Sequence, residues 1–222
     1  GVDLGIKKLI TTSDGQVFDP INSFKANQVK IARLQRKLKK KTKFSENWKK
    51  LNLKINKLHH HIANIRHDYL HKVTTTLSKN HAMIVVEDLK VANMSKSASG
   101  TIEKKGKNVK AKSGLNKSIL DQGWSMLVGM LEYKQQWRGG LLVKVDPKYT
   151  SQTCSSCGHV AKENRLTQAK FECIGCDFSE NADINASRNI LAVGHTVLSV
   201  EGGCGKGRPT KQKASEIRKE VA

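Results

Sequence analysis

The chain opens with GVDLGIKKL at residues 1–9, where a single acid, Asp3, lies in the apolar frame of a buried strand. KLITT at residues 8–12 is a second extended segment, and SDG at residues 13–15 is a turn that leads into QVF. The pattern predicts a three-stranded β-meander over residues 1–18. Asp3 is then either incidental to its strand or the first carboxylate of a site whose other members lie far downstream.

Two more strands are predicted further along the chain. AMIVVEDL at residues 82–89 is an apolar run that ends on Glu87 and Asp88, as in a buried central strand with carboxylates at its C-terminal edge. GLLVKVDP at residues 140–147 is the last strand and ends at its proline. Between them, residues 95–114 are rich in Ser, Gly and Lys and predict a mobile loop. The segment 115–137 is amphipathic and predicts a helix.

Residues 25–80 have the periodicity of a helical hairpin. Apolar residues recur at spacings of three and four along the second helix: Leu51, Ile55, Leu58, Ile62, Ile65, Tyr69, Val73 and Leu77. A shorter helix precedes it, and Ser45 is a plausible cap between the two. Residues 25–72 hold fifteen Lys and Arg but two acids, which favours phosphate contact over a merely solvated face. The candidate nucleic-acid contacts are Lys37, Lys39, Lys40 and Lys41.

The composition agrees with a polyanionic partner. Among 222 residues, 40 Lys and Arg stand against 19 Asp and Glu, for a net charge of +21. Such an excess attracts nucleic acid. No apolar run reaches the roughly 20 residues that span a bilayer, so no membrane partner is expected. We expect a monomer in the cytosol or nucleoid of a prokaryote.

Four of the five cysteines form two close pairs, in TCSSCGH and FECIGCDF. Cys154, Cys157, Cys173 and Cys176 follow a C-x₂-C, fifteen-residue gap, C-x₂-C pattern, which predicts one tetrahedral zinc in a ribbon over residues 151–180. Two disulfides are the alternative, and the cytosolic composition argues against them. Cys204 has no partner in this pattern. His159 would be a surplus ligand, and the consecutive histidines 59–61 point in different directions on a helix and cannot share one ion.

A third acid follows the cysteines, in ENADINASRNI at residues 180–190. Asp183 lies where the last helix, 181–195, begins, so it could simply cap that helix. The order β-β-β, helix, β, helix, β, helix, with acids on the first strand, the fourth strand and the last helix, is instead that of the RNase H-like fold. There Asp3, Glu87 and Asp183 converge, and divalent cations such as Mg²⁺ make the convergence tolerable. Two such ions cleave phosphodiesters in many nucleases.

A family resemblance rests on five segments: GVDLGI, VVEDL, DQGWSMLVGMLEYKQQWRGG, DPKYTSQTCSSCGH and FECIGCDFSENADINASRNIL. Together they resemble the C-terminal half of the TnpB proteins, which are transposon-encoded, RNA-guided DNA endonucleases of the OrfB type. The resemblance implies a RuvC-like core with Asp3, Glu87 and Asp183 as its catalytic triad, Mg²⁺ or Mn²⁺ as cofactor, and a structural zinc on the four cysteines. It also implies DNA and a guide RNA as partners.

In that family a β-barrel and a helical region precede the strand of the first acid. We therefore expect an α/β fold, a RuvC-like mixed sheet flanked by helices, corresponding to the nuclease half of such a protein. The activity of this half by itself stays open. Two other functions also stay open: a nucleic-acid-binding remnant without turnover, and a DNA-strand transferase. Arg188 either approaches a scissile phosphate or is a surface residue, and residues 196–222 are expected to form a disordered basic tail.

Overall fold

The core of the protein is a five-stranded mixed sheet. A computed structural model describes residues 1–202, and its strands β1 to β5 follow the order β3-β2-β1-β4-β5. β1, β2 and β3 form the predicted antiparallel meander, while β4 is parallel to both β1 and β5. The five strands are Val2–Leu4, Ile10–Thr12, Val17–Phe18, Met83–Glu87 and Leu141–Val145.

Six helices and a small second sheet complete the described residues. Helices α1 to α6 are Ser23–Lys39, Glu46–Asn80, Val91–Met94, Val109–Gln122, Trp124–Trp137 and Ala182–Gly202. The chain between β5 and α6 contains strands β6, Lys170–Glu172, and β7, Ser179–Asn181, which pair with each other in antiparallel orientation. Within the described residues, no helix is long and apolar enough to cross a membrane.

Helices cover both faces of the five-stranded sheet. On one face Val2, Leu4 and Val86 pack with the second half of α2 and with α5 in the main hydrophobic core. On the other face Val85 packs against Ile190 of α6. A Cβ on Gly194 would lie 2.5 Å from a methyl group of Val85, so glycine lets α6 approach the sheet closely. Successive strand residues alternate between two faces that are both covered, which explains why the first four residues of β4, Met83 to Val86, are all apolar.

Helices α1 and α2 form a hairpin with a small core of its own. Ile31, Leu58 and Ile62 are buried between the two helices. The Ser45 side chain accepts a hydrogen bond from the Trp48 backbone N–H, which confirms the predicted cap. Only the second half of α2 joins the main core, so its first half extends away from the sheet.

Two sequence-based boundaries were wrong. Helix α4 begins at Val109, within the predicted loop 95–114, because polar tertiary contacts support it: Lys112 Nζ donates to the Met94 carbonyl and Asn116 Nδ2 to the Ser95 carbonyl, at 2.6 and 2.8 Å. The predicted helix 115–137 is also interrupted at Gly123, which has a φ of +71° that favours glycine.

The predicted tail was wrong at its start. Helix α6 continues through residues 196–202, where Val197 and Leu198 pack against the same cluster as Ile190. Apolar contact with the sheet therefore extends the helix beyond residue 195. The rest of the predicted tail, residues 203–222 with Cys204, lies outside the described residues.

A buried acid on α4 caps the N-terminus of α1. Asp121 accepts hydrogen bonds from the backbone N–H groups of Phe24 and Lys25 and from the Ser23 hydroxyl, at 2.9 to 3.2 Å. Its side chain is 3% exposed and lies 3.6 Å from the Arg66 guanidinium. This carboxylate replaces a local cap, since the Asn22 side chain makes no capping bond.

Replacing Asp121 with Ala is expected to lower the free energy of unfolding by about 2–4 kcal/mol, because it leaves several buried donors and the Arg66 charge unpaired. Asp121→Asn should cost less, since its amide oxygen still accepts. Urea denaturation measures both. Asp68→Ala is the control, because its exposed ion pair with Lys72 contributes at most about 0.5 kcal/mol. Equal effects of Asp121→Ala and Asp68→Ala would contradict the capping role.

Candidate active site

The pairing of β1 with β4 places two acids side by side. Val2 is the partner of Val86 in the parallel register, and both face the main core. Asp3 and Glu87 are the next residues on the two strands, so their side chains emerge together on the opposite face, where α6 packs. The sheet register therefore brings together two acids that are 84 positions apart in the sequence.

Asp183 joins this pair from the first turn of α6. The Asn181 side chain accepts hydrogen bonds from the backbone N–H groups of Asp183 and Ile184, at 3.0 and 3.3 Å. Asn181 is thus the cap of α6, and the Asp183 carboxylate is free of that task.

The pKa of Asp3 reports how close the acids are. Burial raises the pKa of Asp3, and the charges of Glu87 and Asp183 raise it further, to about 7. Asp3 is therefore close enough to Glu87 and Asp183 for their charges to disfavour its ionised form.

A threonine holds Glu87 in position. The Thr150 hydroxyl donates a 2.7 Å hydrogen bond to a Glu87 carboxylate oxygen and is buried. Burial raises the pKa of Glu87, while this hydrogen bond and the Arg165 charge oppose the rise. One oxygen of Glu87 is thus oriented by the segment that follows β5.

Arg165 is a site residue that the sequence did not reveal. Its guanidinium lies 3.1 Å from an Asp183 carboxylate oxygen and also donates to the Gln168 carbonyl. Its charge lowers the pKa values of Asp3 and Glu87, against the burial and repulsion that raise them. Arg165 lies in an irregular segment between the two cysteine pairs, where no periodicity or motif distinguishes it from the other basic residues.

The four paired cysteines form a compact cluster. All four sulfur atoms lie within 4.8 Å of one another. Cys154 and Cys173 are buried, and Cys157 and Cys176 are exposed. Burial raises the pKa of the Cys173 thiol. Hydrogen bonds from the Gly175 N–H and the Cys157 thiol outweigh this effect and lower the pKa to about 7. The cluster offers four soft ligands at a spacing that suits one metal ion.

Asparagines on α6 tie the cysteine segment to the acids. Asn185 accepts from the Ser155 N–H at 2.9 Å and donates to the Thr153 carbonyl at 2.8 Å. Asn189 donates to the carbonyls of Thr150 and Thr153, at 2.9 and 2.6 Å. The helix that carries Asp183 therefore also holds the first cysteine pair and the threonine that orients Glu87.

The other candidate residues lie elsewhere. Arg188 pairs with Glu180 at 2.8 Å, and Lys37, Lys39, Lys40 and Lys41 lie at the end of α1 and the turn after it. The histidines 59–61 are exposed on α2. Metal ions bind where side-chain ligand atoms of His, Cys, Asp or Glu lie close together. In the part of the chain that the structure describes, the four cysteines are the one such group of three or more residues, with their sulfur atoms within 4.8 Å of one another.

Comparison with protein families gives two matches. A family model described as "Probable transposase", OrfB of the IS605 type, matches residues 1–98. A second, described as "Cas12f1-like, TNB domain", matches residues 124–190, which include all four paired cysteines and Asp183.

Individual proteins resemble the chain over its whole length. "Putative RNA-guided DNA endonuclease InsQ" of Escherichia coli K12 is 61% identical in sequence, over 98% of the length of this chain and 54% of the length of that protein. "Putative RNA-guided DNA endonuclease" of Streptomyces pristinaespiralis is 34% identical, over 100% of the length of this chain and 50% of the length of that protein. The chain thus spans about half the length of these curated relatives.

One solved structure shares the fold. The Cas12f1 chain in a cryo-EM structure of a Cas12f1-sgRNA-target DNA complex superposes with a TM-score of 0.55 and 23% identity. The superposition covers 86% of this chain and 48% of that one. At this identity the likeness concerns the fold alone.

Without added Mg²⁺ or Mn²⁺, replacing Asp3 with Asn should stabilise the protein, and increasingly so as the pH rises. The pKa of Asp3 is about 7 in the folded protein, whereas its ordinary value, which applies to the unfolded chain, is 3.8. At pH values between the two, the unfolded chain therefore binds fewer protons than the folded protein. The wild type therefore loses stability from about pH 4 to pH 7, whereas the Asn variant lacks this term. Between pH 5 and 8 the difference in unfolding free energy should grow by up to about 3 kcal/mol.

Thermal denaturation across this pH range measures the difference. Asp88→Asn is the control, because the Asp88 carboxylate is 46% exposed and pairs with Lys90. A constant offset between wild type and the Asp3 variant at all pH values would contradict the proximity of the three acids.

Proposed function

Because this chain belongs to the OrfB-type, TnpB family, we propose that it forms the DNA-cleaving part of an RNA-guided endonuclease. The observation that carries the proposal is the meeting of three acids from β1, β4 and α6, two of them with pKa values raised by burial. Side chains that served only solubility would not be buried together, because their repulsion costs stability. The fold we assign is RNase H-like, with β1 and β4 adjacent in the sheet.

Divalent cations fit these acids. Asp3, Glu87 and Asp183 would hold Mg²⁺ or Mn²⁺, since both prefer carboxylate oxygens and their charge relieves the repulsion that raises the Asp3 pKa. Bound there, such ions supply charge stabilisation and activation of water for phosphodiester hydrolysis.

The surrounding side chains position these ligands. Thr150 fixes one oxygen of Glu87, and Asn181 relieves Asp183 of capping. Arg165 balances part of the negative charge and is the cation nearest to Asp183 in the described ion pairs. We infer that this guanidinium contacts the phosphate of a bound DNA strand, since it already reaches a proposed metal ligand.

The cysteine cluster is proposed to bind a structural zinc. Four thiolates within 4.8 Å and no open ligand position are typical of a closed Cys₄ site. The segment around it has a small core of its own, Phe171, Ala182 and two of the cysteines, so metal would supply much of its folding free energy. The ribbon in turn holds Arg165 beside Asp183.

DNA is the proposed substrate and a guide RNA the proposed partner. The names of the two relatives describe RNA-guided DNA endonucleases, and the chain has the positive charge that attracts both polyanions. Strand transfer is a second candidate, because the matching family model is described as a transposase. A plasmid assay separates the two, since hydrolysis yields nicked or linear DNA and transfer yields joined products.

Replacing Asp3, Glu87 or Asp183 with Ala should lower Mg²⁺-dependent plasmid cleavage by at least about a hundredfold, because the acids act as one metal-binding unit. The same variants should weaken Mn²⁺ binding, followed by electron paramagnetic resonance of the free ion. This second measurement holds even where cleavage is slow. Asp88→Ala is the matched control on the neighbouring residue and should change neither quantity more than about twofold. Wild-type Mn²⁺ binding in the Asp183 variant would exclude that residue from the site.

Replacing Cys173 with Ser should remove the zinc and expose residues 151–180 to protease, since a Cys₄ site that loses one ligand is no longer closed. Elemental analysis and limited proteolysis measure the two effects. Cys204→Ser serves as the control, because Cys204 lies outside the two C-x₂-C pairs and should leave the zinc content unchanged. A purified wild-type chain without zinc and with four reactive thiols would refute the assignment.

A further inference from the structure

The turn between α1 and α2 has an unusual aromatic residue. Phe44 is 65% exposed and has a φ of +68°, the left-handed region that a bulky side chain rarely adopts. Its ring lies 5.5 Å from the ring of Trp48, centroid to centroid, and the Lys43 ammonium lies 5.0 Å from the Phe44 centroid. The backbone strain is retained although the ring gains little burial from it. Strain of this kind is typical of functional positions.

Basic clefts surround the turn. One cleft, of about 490 Å³, is lined by Arg33, Arg36, Lys37, Lys39 and Lys40. A second, of about 470 Å³, shares two of these lysines and is lined further by Lys41, Asn47, Lys50, Leu51 and Lys54. Among the described residues, none of the cations in these clefts forms an ion pair with a carboxylate within 4.0 Å. The one acid at the turn, Glu46, is paired with Lys49.

The turn lies far from the carboxylates. Trp48 precedes Leu70, the first buried residue of α2 in the main core, by 22 positions, which is roughly 33 Å along a helix. The first half of α2 packs only against α1 through the small cluster around Ile31. Binding at the turn can therefore be measured apart from any cleavage.

We propose that this turn is a binding site for single-stranded nucleic acid, with unpaired bases stacking on Phe44 and Trp48 and phosphates in the two basic clefts. To stack on an exposed ring, a base must present a face that is not already stacked on its neighbours. The bases of a duplex do not do so, whereas unpaired nucleotides stack readily on aromatic side chains. The lysines and arginines bind the backbone without reading its sequence. The ligand class rests on the proposed nucleic-acid function, but the site does not depend on the acids.

Fluorescence anisotropy of the 222-residue chain without added Mg²⁺ or Mn²⁺ tests the site, so that failure of the nuclease assignment does not affect it. The probes are RNA and DNA single strands of about 12 nucleotides, an abasic strand of the same length, and a matching duplex. Phe44→Gly removes the ring and relieves the positive φ, so the fold should be kept. It should weaken binding of the base-bearing strands about tenfold and binding of the abasic strand and the duplex less than about twofold.

Three further variants separate stacking from charge. Phe44→Tyr should bind like the wild type. Lys40→Gln with Lys41→Gln should weaken binding of every probe and reduce its salt dependence. Trp137→Gln is the control, because Trp137 is an 80% exposed aromatic residue outside the turn, in edge contact with Tyr133.

A tenfold loss with Phe44→Gly in either the RNA or the DNA arm supports the proposal and identifies the ligand. Wild-type affinity in both arms, or an equal loss on the abasic strand, would overturn it. An equal loss with Trp137→Gln would do the same, because any exposed aromatic residue would then serve.

Discussion

The parallel pairing of β1 with β4 is the contact on which the candidate site depends. It sets Asp3 beside Glu87 on the sheet face that α6 covers, while Val2 and Val86 enter the main core on the other face. A shift of either strand by one residue would send its acid into the apolar core and its valine towards α6. The hydrophobic core therefore enforces the register that concentrates negative charge. Burial, together with the charges of Glu87 and Asp183, raises the pKa of Asp3 to about 7.

The cysteine segment belongs to this electrostatic arrangement, although it is a separate small sheet. Its Arg165 lies against Asp183, and the residues before its first cysteine are held by Asn185 and Asn189 of α6. One helix thus supplies an acid and also anchors the segment that carries the nearest counter-charge. Loss of the proposed zinc would for this reason affect the acids as well as the ribbon. The same contacts explain why the small sheet lies next to α6.

The helical hairpin carries the proposed nucleic-acid site at a distance from the acids. Half of α2 stabilises the sheet through Leu70, Val73 and Leu77, and the other half extends to a turn with unpaired positive charge. Asp121 holds the start of α1 to α4 and thereby sets the direction of the hairpin.

The sequence by itself predicted most of the main-sheet strands and long helices, and it indicated the candidate ligand residues. Apolar runs and helical periodicity located β1, β4, β5 and the hairpin, and the spacing of the cysteines indicated their cluster, because these signals are local. The acids were recognised from their order along the chain and from a family resemblance. Local patterns did not predict the start of α4 at Val109, the extension of α6 to residue 202, the cap by Asp121 or the role of Arg165. Each of these depends on contacts between segments distant in sequence, such as the 97 positions that separate Phe24 from Asp121. Only the packed sheet and helices decide which of many equivalent basic or acidic side chains meet, because burial and charge pairing act through space and leave no period in the sequence.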